Sequence, residues 1–149
     1  MVSAVIATNL TMRTVCPSKH YSIRVPADAK EDYDGTVLSI WRDGESTALQ
    51  LSSYVRTEGE QISANERLED RARSTSGQWK RLELGIGGDC EVAAASVLND
   101  GVEWWHCYLV TPQLAVYATL SFPEVQKPSP WALDAIHSIR FGSPVIVPV

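Results

Sequence analysis

At 149 residues the chain is long enough to bury a core without disulfides or a metal, and 44% hydrophobic with 21% charged residues is the composition of one folded domain. Thirteen basic against eighteen acidic residues leave a formal net charge of −5. That balance argues against a nucleic-acid binder, which needs a basic surface to neutralise phosphates, and is compatible with a basic protein partner.

Met1–Val15 alternates through Ala4, Ile6, Thr8, Leu10 and Met12, which favours a strand over a helix. It has no basic leading region and no apolar stretch of spanning length, so neither an export signal nor a membrane span is read there. Cys16, Cys90 and Cys107 are an odd, widely spaced set, expected as reduced thiols of a cytoplasmic protein. Tyr21, Ile23 and Val25 alternate with Ser22 and Arg24 as in a half-buried strand. Asp28, Glu31, Asp32 and Asp34 then crowd into seven residues opposed only by Lys30, and read as an exposed acidic turn. They lack the spaced ligands and closing glutamate of an EF-hand, so the expectation is a surface that steers a basic partner.

Three Asp-Gly pairs punctuate the remainder, at Asp34-Gly35, Asp43-Gly44 and Asp100-Gly101. Both residue types tolerate positive φ, so each pair predicts a hairpin where apolar runs flank it. Thr36–Arg42 with Ala48–Arg56 forms one; Glu91–Leu98 with Val102–Thr111 forms another, and Leu114–Phe122 extends the second into a meander. Trp79–Leu84 is a further short strand. Ser63-Ala64-Asn65-Glu66 is a capping box opening a helix that Gly77 closes, with Ala64, Leu68 and Ala72 as a thin stripe suited to the surface. A second helix starts at Ser129-Pro130 and buries Trp131, Leu133, Ile136 and Ile139 before Gly142 and Pro144 stop it. The tail Gly142–Val149 is apolar and proline-bounded, an edge strand or a loose end. The fold expected is a single α+β domain over residues 1–149, mainly antiparallel sheet with two helices packed against it.

Two stretches carry a family resemblance. Tyr21-Ser22-Ile23-Arg24-Val25-Pro26 is an early strand ending in proline, and Pro130-Trp131-Ala132-Leu133-Asp134-Ala135-Ile136-His137-Ser138-Ile139-Arg140-Phe141 is a late helix running into a Ser-Ile-Arg-Phe strand. Together they resemble the Mog1/PsbP-like group with its DUF1795 and DcrB relatives. The resemblance implies an antiparallel sheet flanked by helices and a non-catalytic binding or accessory role, such as an effector chaperone, and it supplies no catalytic residues.

The most unusual stretch is Trp104-Trp105-His106-Cys107-Tyr108. On a strand, Trp104, His106 and Tyr108 share one face and Trp105 and Cys107 the other. Both faces are apolar and aromatic, as in a central strand covered on both sides; the alternative is that Trp104, His106 and Tyr108 line an aromatic groove for a partner. His106 and Cys107 face opposite ways and so cannot form a dyad with each other. The cysteines and histidines have no zinc-ligand spacing, and Gly85-Ile86-Gly87-Gly88-Asp89 lacks the spacing and the following helix of a dinucleotide fingerprint. Arg67, Arg71, Arg73, Lys80 and Arg81 exceed the neighbouring acids by only two (five against Glu66, Glu69 and Asp70), the balance of a solvated helix face.

No cofactor motif is completed and no catalytic spacing is present, so the reading is a non-enzymatic, protein-binding domain of an immunity or secretion-accessory kind. Its binding residues are expected among Trp104, His106, Tyr108 and the acids Asp28, Glu31, Asp32 and Asp34. The alternatives are a small-ligand carrier with an apolar pocket and a small enzyme using His106 or His137 as base.

Overall fold

A computed structural model describes residues 11–56, 59 and 62–142. The strongest local signal, the meander, is also the centre of the fold. Strands β7 (Glu91–Asn99), β8 (Val102–Val110) and β9 (Leu114–Pro123) pair antiparallel along their whole lengths. Asn99 pairs with Val102, so Asp100-Gly101 is a two-residue turn, and φ of 51° and 79° at its two positions is what such a turn demands. The β8–β9 turn is held by the Thr111 amide donating to the Leu114 carbonyl at 2.8 Å.

Earlier strands add to the free edge of β9. β5 (Ala48–Val55) pairs with β9, β4 (Leu38–Trp41) with β5, and β3 (Lys30–Tyr33) with β4. β6 (Lys80–Leu82) closes the other edge on β7, giving seven strands in the order β3-β4-β5-β9-β8-β7-β6. A smaller sheet consists of β1 (Met12–Ser18), β2 (Tyr21–Pro26) and β10 (Arg140–Phe141), with β2 in the middle.

One face of the main sheet presents Ile40, Leu49, Leu51, Cys107, Leu109, Val116 and Leu120. It packs against Tyr21, Ile23 and Val25 of β2 and Trp131, Ala132, Ala135 and Ile136 of helix α2 (Pro130–His137), all buried. On the opposite face helix α1 (Ala64–Ser74) sets Ala64 and Leu68, four apart, against Ala93, Ala95, Tyr108, Val110 and Ala115. The Ser63 hydroxyl accepts from the Glu66 amide at 3.1 Å, as its cap position requires. Gly77 follows with φ of 120°, and a Cβ there would stand 2.8 Å from Val97 Cγ2, so this bend is open only to glycine.

Three expectations change. Lys30–Tyr33 is an edge strand and not part of a turn; all four of its side chains are exposed, so it shows no apolar alternation and its backbone pairing alone defines it. Asp43-Gly44 lies within a six-residue connection, because Trp41 pairs with Ala48, and the added length does structural work. Glu45 in that loop accepts from Arg42 at 2.6 Å and from the Trp131 indole at 3.1 Å, while Thr47 accepts from the Ser129 amide at 2.9 Å, clamping the start of α2. At its other end α2 stops at His137, before Gly142: the Ser138 hydroxyl donates to the Ala135 carbonyl and accepts from the Arg24 amide at 2.8 Å, so the chain leaves the helix directly into β10.

The expectations for Met1–Leu10 and for the tail beyond Gly142 fall outside the described residues. No helix among the described residues is long and apolar enough to cross a membrane. Trp131 is 3% exposed at the junction of both sheets, so Trp131→Ala should cost about 3–5 kcal/mol in denaturant melts. A loss below about 1 kcal/mol would mean that α2 only rests on the surface.

Candidate functional site

The α1 helix covers its face of the main sheet over β7, β8 and the Ala115–Tyr117 start of β9, with Arg67 reaching the Tyr54 ring at the end of β5. Toward β5 and β4 the same face continues, and strand register fixes its composition. Gln50 pairs with Thr119 and Thr119 with His106; Ser52 pairs with Tyr117 and Tyr117 with Tyr108; Ser121 pairs with Trp104. By alternation Ser39 and Trp41 of β4 share this face, and the Gln50 amide donates to the Ser39 hydroxyl at 3.2 Å. Its strand residues Ser39, Gln50, Ser52, Thr119 and Ser121 are all polar and all uncharged. Between them lies a pocket of about 160 Å³ lined by Val37, Gln50, Leu51, Ser52, Trp104, His106, Tyr117 and Thr119. Thr119 is 7% exposed, and its buried hydroxyl has no hydrogen-bond partner among the described residues.

An aromatic stack joins this pocket to α1. Trp79 packs on His106 with ring centroids 4.6 Å apart, His106 Nδ1 meets the Tyr117 hydroxyl at 2.5 Å, and Tyr117 stacks on Tyr108 at 4.6 Å. Arg71 closes the stack from the helix, its guanidinium 4.0 Å from the Tyr117 ring centre and its Nε donating to the Tyr108 hydroxyl at 2.6 Å. Burial, and secondarily Arg71, lower the pKa of His106 to about 4. Burial also raises that of Tyr117, so at neutral pH a neutral imidazole and a protonated phenol satisfy one another. Burial works against the charge of Arg71, but the bond to Tyr108 and the field of the tyrosines keep its pKa raised.

This corrects the extent of the expected groove. Trp104 and His106 do face the pocket, while Tyr108 is 4% exposed beneath α1 and supports the site from below. The acids form no part of it. Asp28 is paired with Arg42, whose Nη2 lies 2.9 Å away and holds the carboxyl below its ordinary range; Glu31 lies 3.5 Å from Arg13. Asp34 accepts from the Val37 and Thr36 amides, which lower its pKa, and Asp32 is exposed on β3. β3 borders this face at β4, with Asp32 opposite Ser39 and Asp34 holding the Val37 amide, so the acids stand at the rim of the pocket and do not line it.

An imidazole with a pKa near 4 is a poor general base at neutral pH, and Cys107 is on the opposite face with burial pushing its thiol up to about 12. His137 is exposed and shares a pocket of about 450 Å³ with Cys90 and Arg140. Burial raises the Cys90 pKa, with Asp89 adding to it, which is the reverse of nucleophile activation.

The sequence matches no family model and no curated protein. A crystal structure from Bacteroides thetaiotaomicron VPI-5482, at 1.50 Å resolution, is similar with a TM-score of 0.53 and 15% identity, over 83% of this chain and 45% of that one. The chain spans less than half the length of that neighbour, and at this identity the likeness shows the fold alone.

Two measurements check the site. The His106 pKa lies below its ordinary value, so between about pH 6.5 and 4 the unfolded chain binds the extra proton and stability should fall as pH falls. The slope of Tm against pH in that window should flatten in His106→Gln; an unchanged slope would place the titration elsewhere. Under native conditions Cys16, which is exposed, should react with a thiol reagent quickly and Cys107 only on unfolding.

Proposed function

We propose that the chain is a non-catalytic binding domain that docks a protein partner on the uncharged half of the main sheet, beside α1. The observation that carries this is the pocket itself: a partly exposed tryptophan, an imidazole held neutral and a buried hydroxyl without a partner among the described residues, set in a face whose floor carries no charge. Aromatic anchors beside desolvated pockets are where protein interfaces concentrate their affinity. At about 160 Å³ the space is below the roughly 300–1,000 Å³ of small-molecule sites and suits one side chain.

The acids on β3 have a lesser part in this reading. Exposed charges at the sheet edge accelerate encounter with a basic partner and are screened by salt. An immunity or secretion-accessory role is what the resemblance to the Mog1/PsbP-like group adds, and a client gene adjacent to this one would support it. A small-ligand carrier is the second reading, favoured by a pocket of about 530 Å³ lined by residues including His20, Gln113, Leu114 and Phe141.

A photo-crosslinking residue at Gln50, on the open face, should capture a protein in cells, while the same residue at Asp134 on α2 should not. Capture at neither position, with only a small molecule co-purifying, would favour the carrier. With a captured partner in hand, Trp104→Ala should raise its dissociation rate roughly tenfold or more with little salt dependence. Reversing Glu31 and Asp32 to lysine should slow association chiefly at low salt.

A further inference from the structure

We propose that the pocket between Trp104, His106 and Thr119 receives a single tyrosine side chain from the partner, its hydroxyl bonded to Thr119. This rests on the protein-binding reading above and specifies what is bound. Charge is the first discriminator. Val37, Gln50, Ser52, Trp104, His106 and Thr119 include no carboxylate to meet a lysine or arginine. Of the titratable lining residues His106 is neutral and Tyr117 is a protonated phenol, and the nearby Arg71 is engaged by Tyr108 and Tyr117, so no cation stands ready for a carboxylate either. A charged side chain buried here would be unpaired, which is strongly unfavourable.

Thr119 discriminates among uncharged side chains. Its residue is 93% buried (7% exposed) and its buried hydroxyl lacks a partner among the described residues, so a leucine or phenylalanine would leave that group unsatisfied where a bonding side chain gains a hydrogen bond. A phenol both donates and accepts, as a threonine hydroxyl does, so the two satisfy each other in either direction. Rotation about the Thr119 χ1 exchanges its methyl and hydroxyl and can present the latter to the pocket. The walls favour a ring over an amide: Trp104, His106 and Tyr117 offer aromatic surfaces at the pocket, and ring–ring packing adds to area burial. One ring is also the scale of a space of about 160 Å³.

The test uses the intact chain and p-cresol, the tyrosine side chain cut at Cβ, titrated against assigned amide and indole NMR signals. p-Cresol should shift the Trp104 indole and the Thr119 and Gln50 amides saturably, and bind about three- to tenfold more tightly than toluene, the margin of one hydrogen bond. Thr119→Val, which keeps the shape and removes the hydroxyl, should erase that margin and leave toluene binding unchanged. Ser52→Phe, which fills the pocket from its floor, should abolish both.

Equal affinity for toluene and p-cresol, or an undiminished margin in Thr119→Val, would overturn the tyrosine assignment. So would tighter binding of 3-methylindole, acetamide or a methyl glucoside, or p-cresol shifts confined to another surface. A protein cross-linked at Gln50 together with no p-cresol binding would sink this inference alone. The absence of any cross-linked protein would sink the docking reading on which it stands.

Discussion

The pairing of β5 with β9 is the constraint on which the molecule turns. Eight consecutive residue pairs, from Ala48–Ser121 to Val55–Leu114, weld the first half of the chain to the meander of the second. The period of two then sorts β9 without exception: Val116, Ala118 and Leu120 go to the main core, while Ala115, Tyr117, Thr119 and Ser121 go to the other face. A slip of one residue would send Thr119 into the apolar core and Leu120 toward water, so packing of one face fixes the composition of the other. The uncharged pocket is a by-product of the same register that buries Leu49 and Leu51.

Charge is arranged around this centre and kept away from it. The terminal strands of the main sheet are short, with β3 reading Lys-Glu-Asp-Tyr and β6 Lys-Arg-Leu. Short, charged edges keep an open sheet from pairing with another chain, which gives the acidic segment a structural task irrespective of any partner. Its ion pairs with Arg13 and Arg42, and that of Lys30 with Asp43, run along this rim, where exposed pairs contribute little to stability.

Much of the architecture was legible because it is local. The two-residue Asp100-Gly101 turn, the Ser63 cap and the Ser129-Pro130 helix start each depend on neighbours within a few residues, and each is found where the sequence puts it. Burial of Cys107 and Trp131 followed from apolar neighbours on both sides. The site was legible only in part: the Trp104–Tyr108 run identified the strand, but Gln50, Ser52, Tyr117 and Thr119 were missed. Alternation assigns them a face, yet nothing in a single sequence says that β5 lies beside β9, with α1 and β6 to β8 intervening in the chain. For the same reason the run alone does not separate Tyr108 from Trp104; the seating of α1 over Ala93, Ala95 and Tyr108 does. Lys30–Tyr33 escaped because an edge strand held by its backbone leaves no apolar pattern.

The same weld orders events in time. β7, β8 and β9 are joined by turns of two and three residues and can zip together quickly, whereas β5 must close a long loop before its first contact with β9 is rewarded. Until then β9, the most buried strand of the sheet, is an edge with an unpaired backbone. A chain emerging from the ribosome makes β5 first and must keep it waiting until β9 is synthesised. The face beside α1 is thus completed late in folding, and the interval before it is when the open edge of β9 is most exposed to mispairing with another copy.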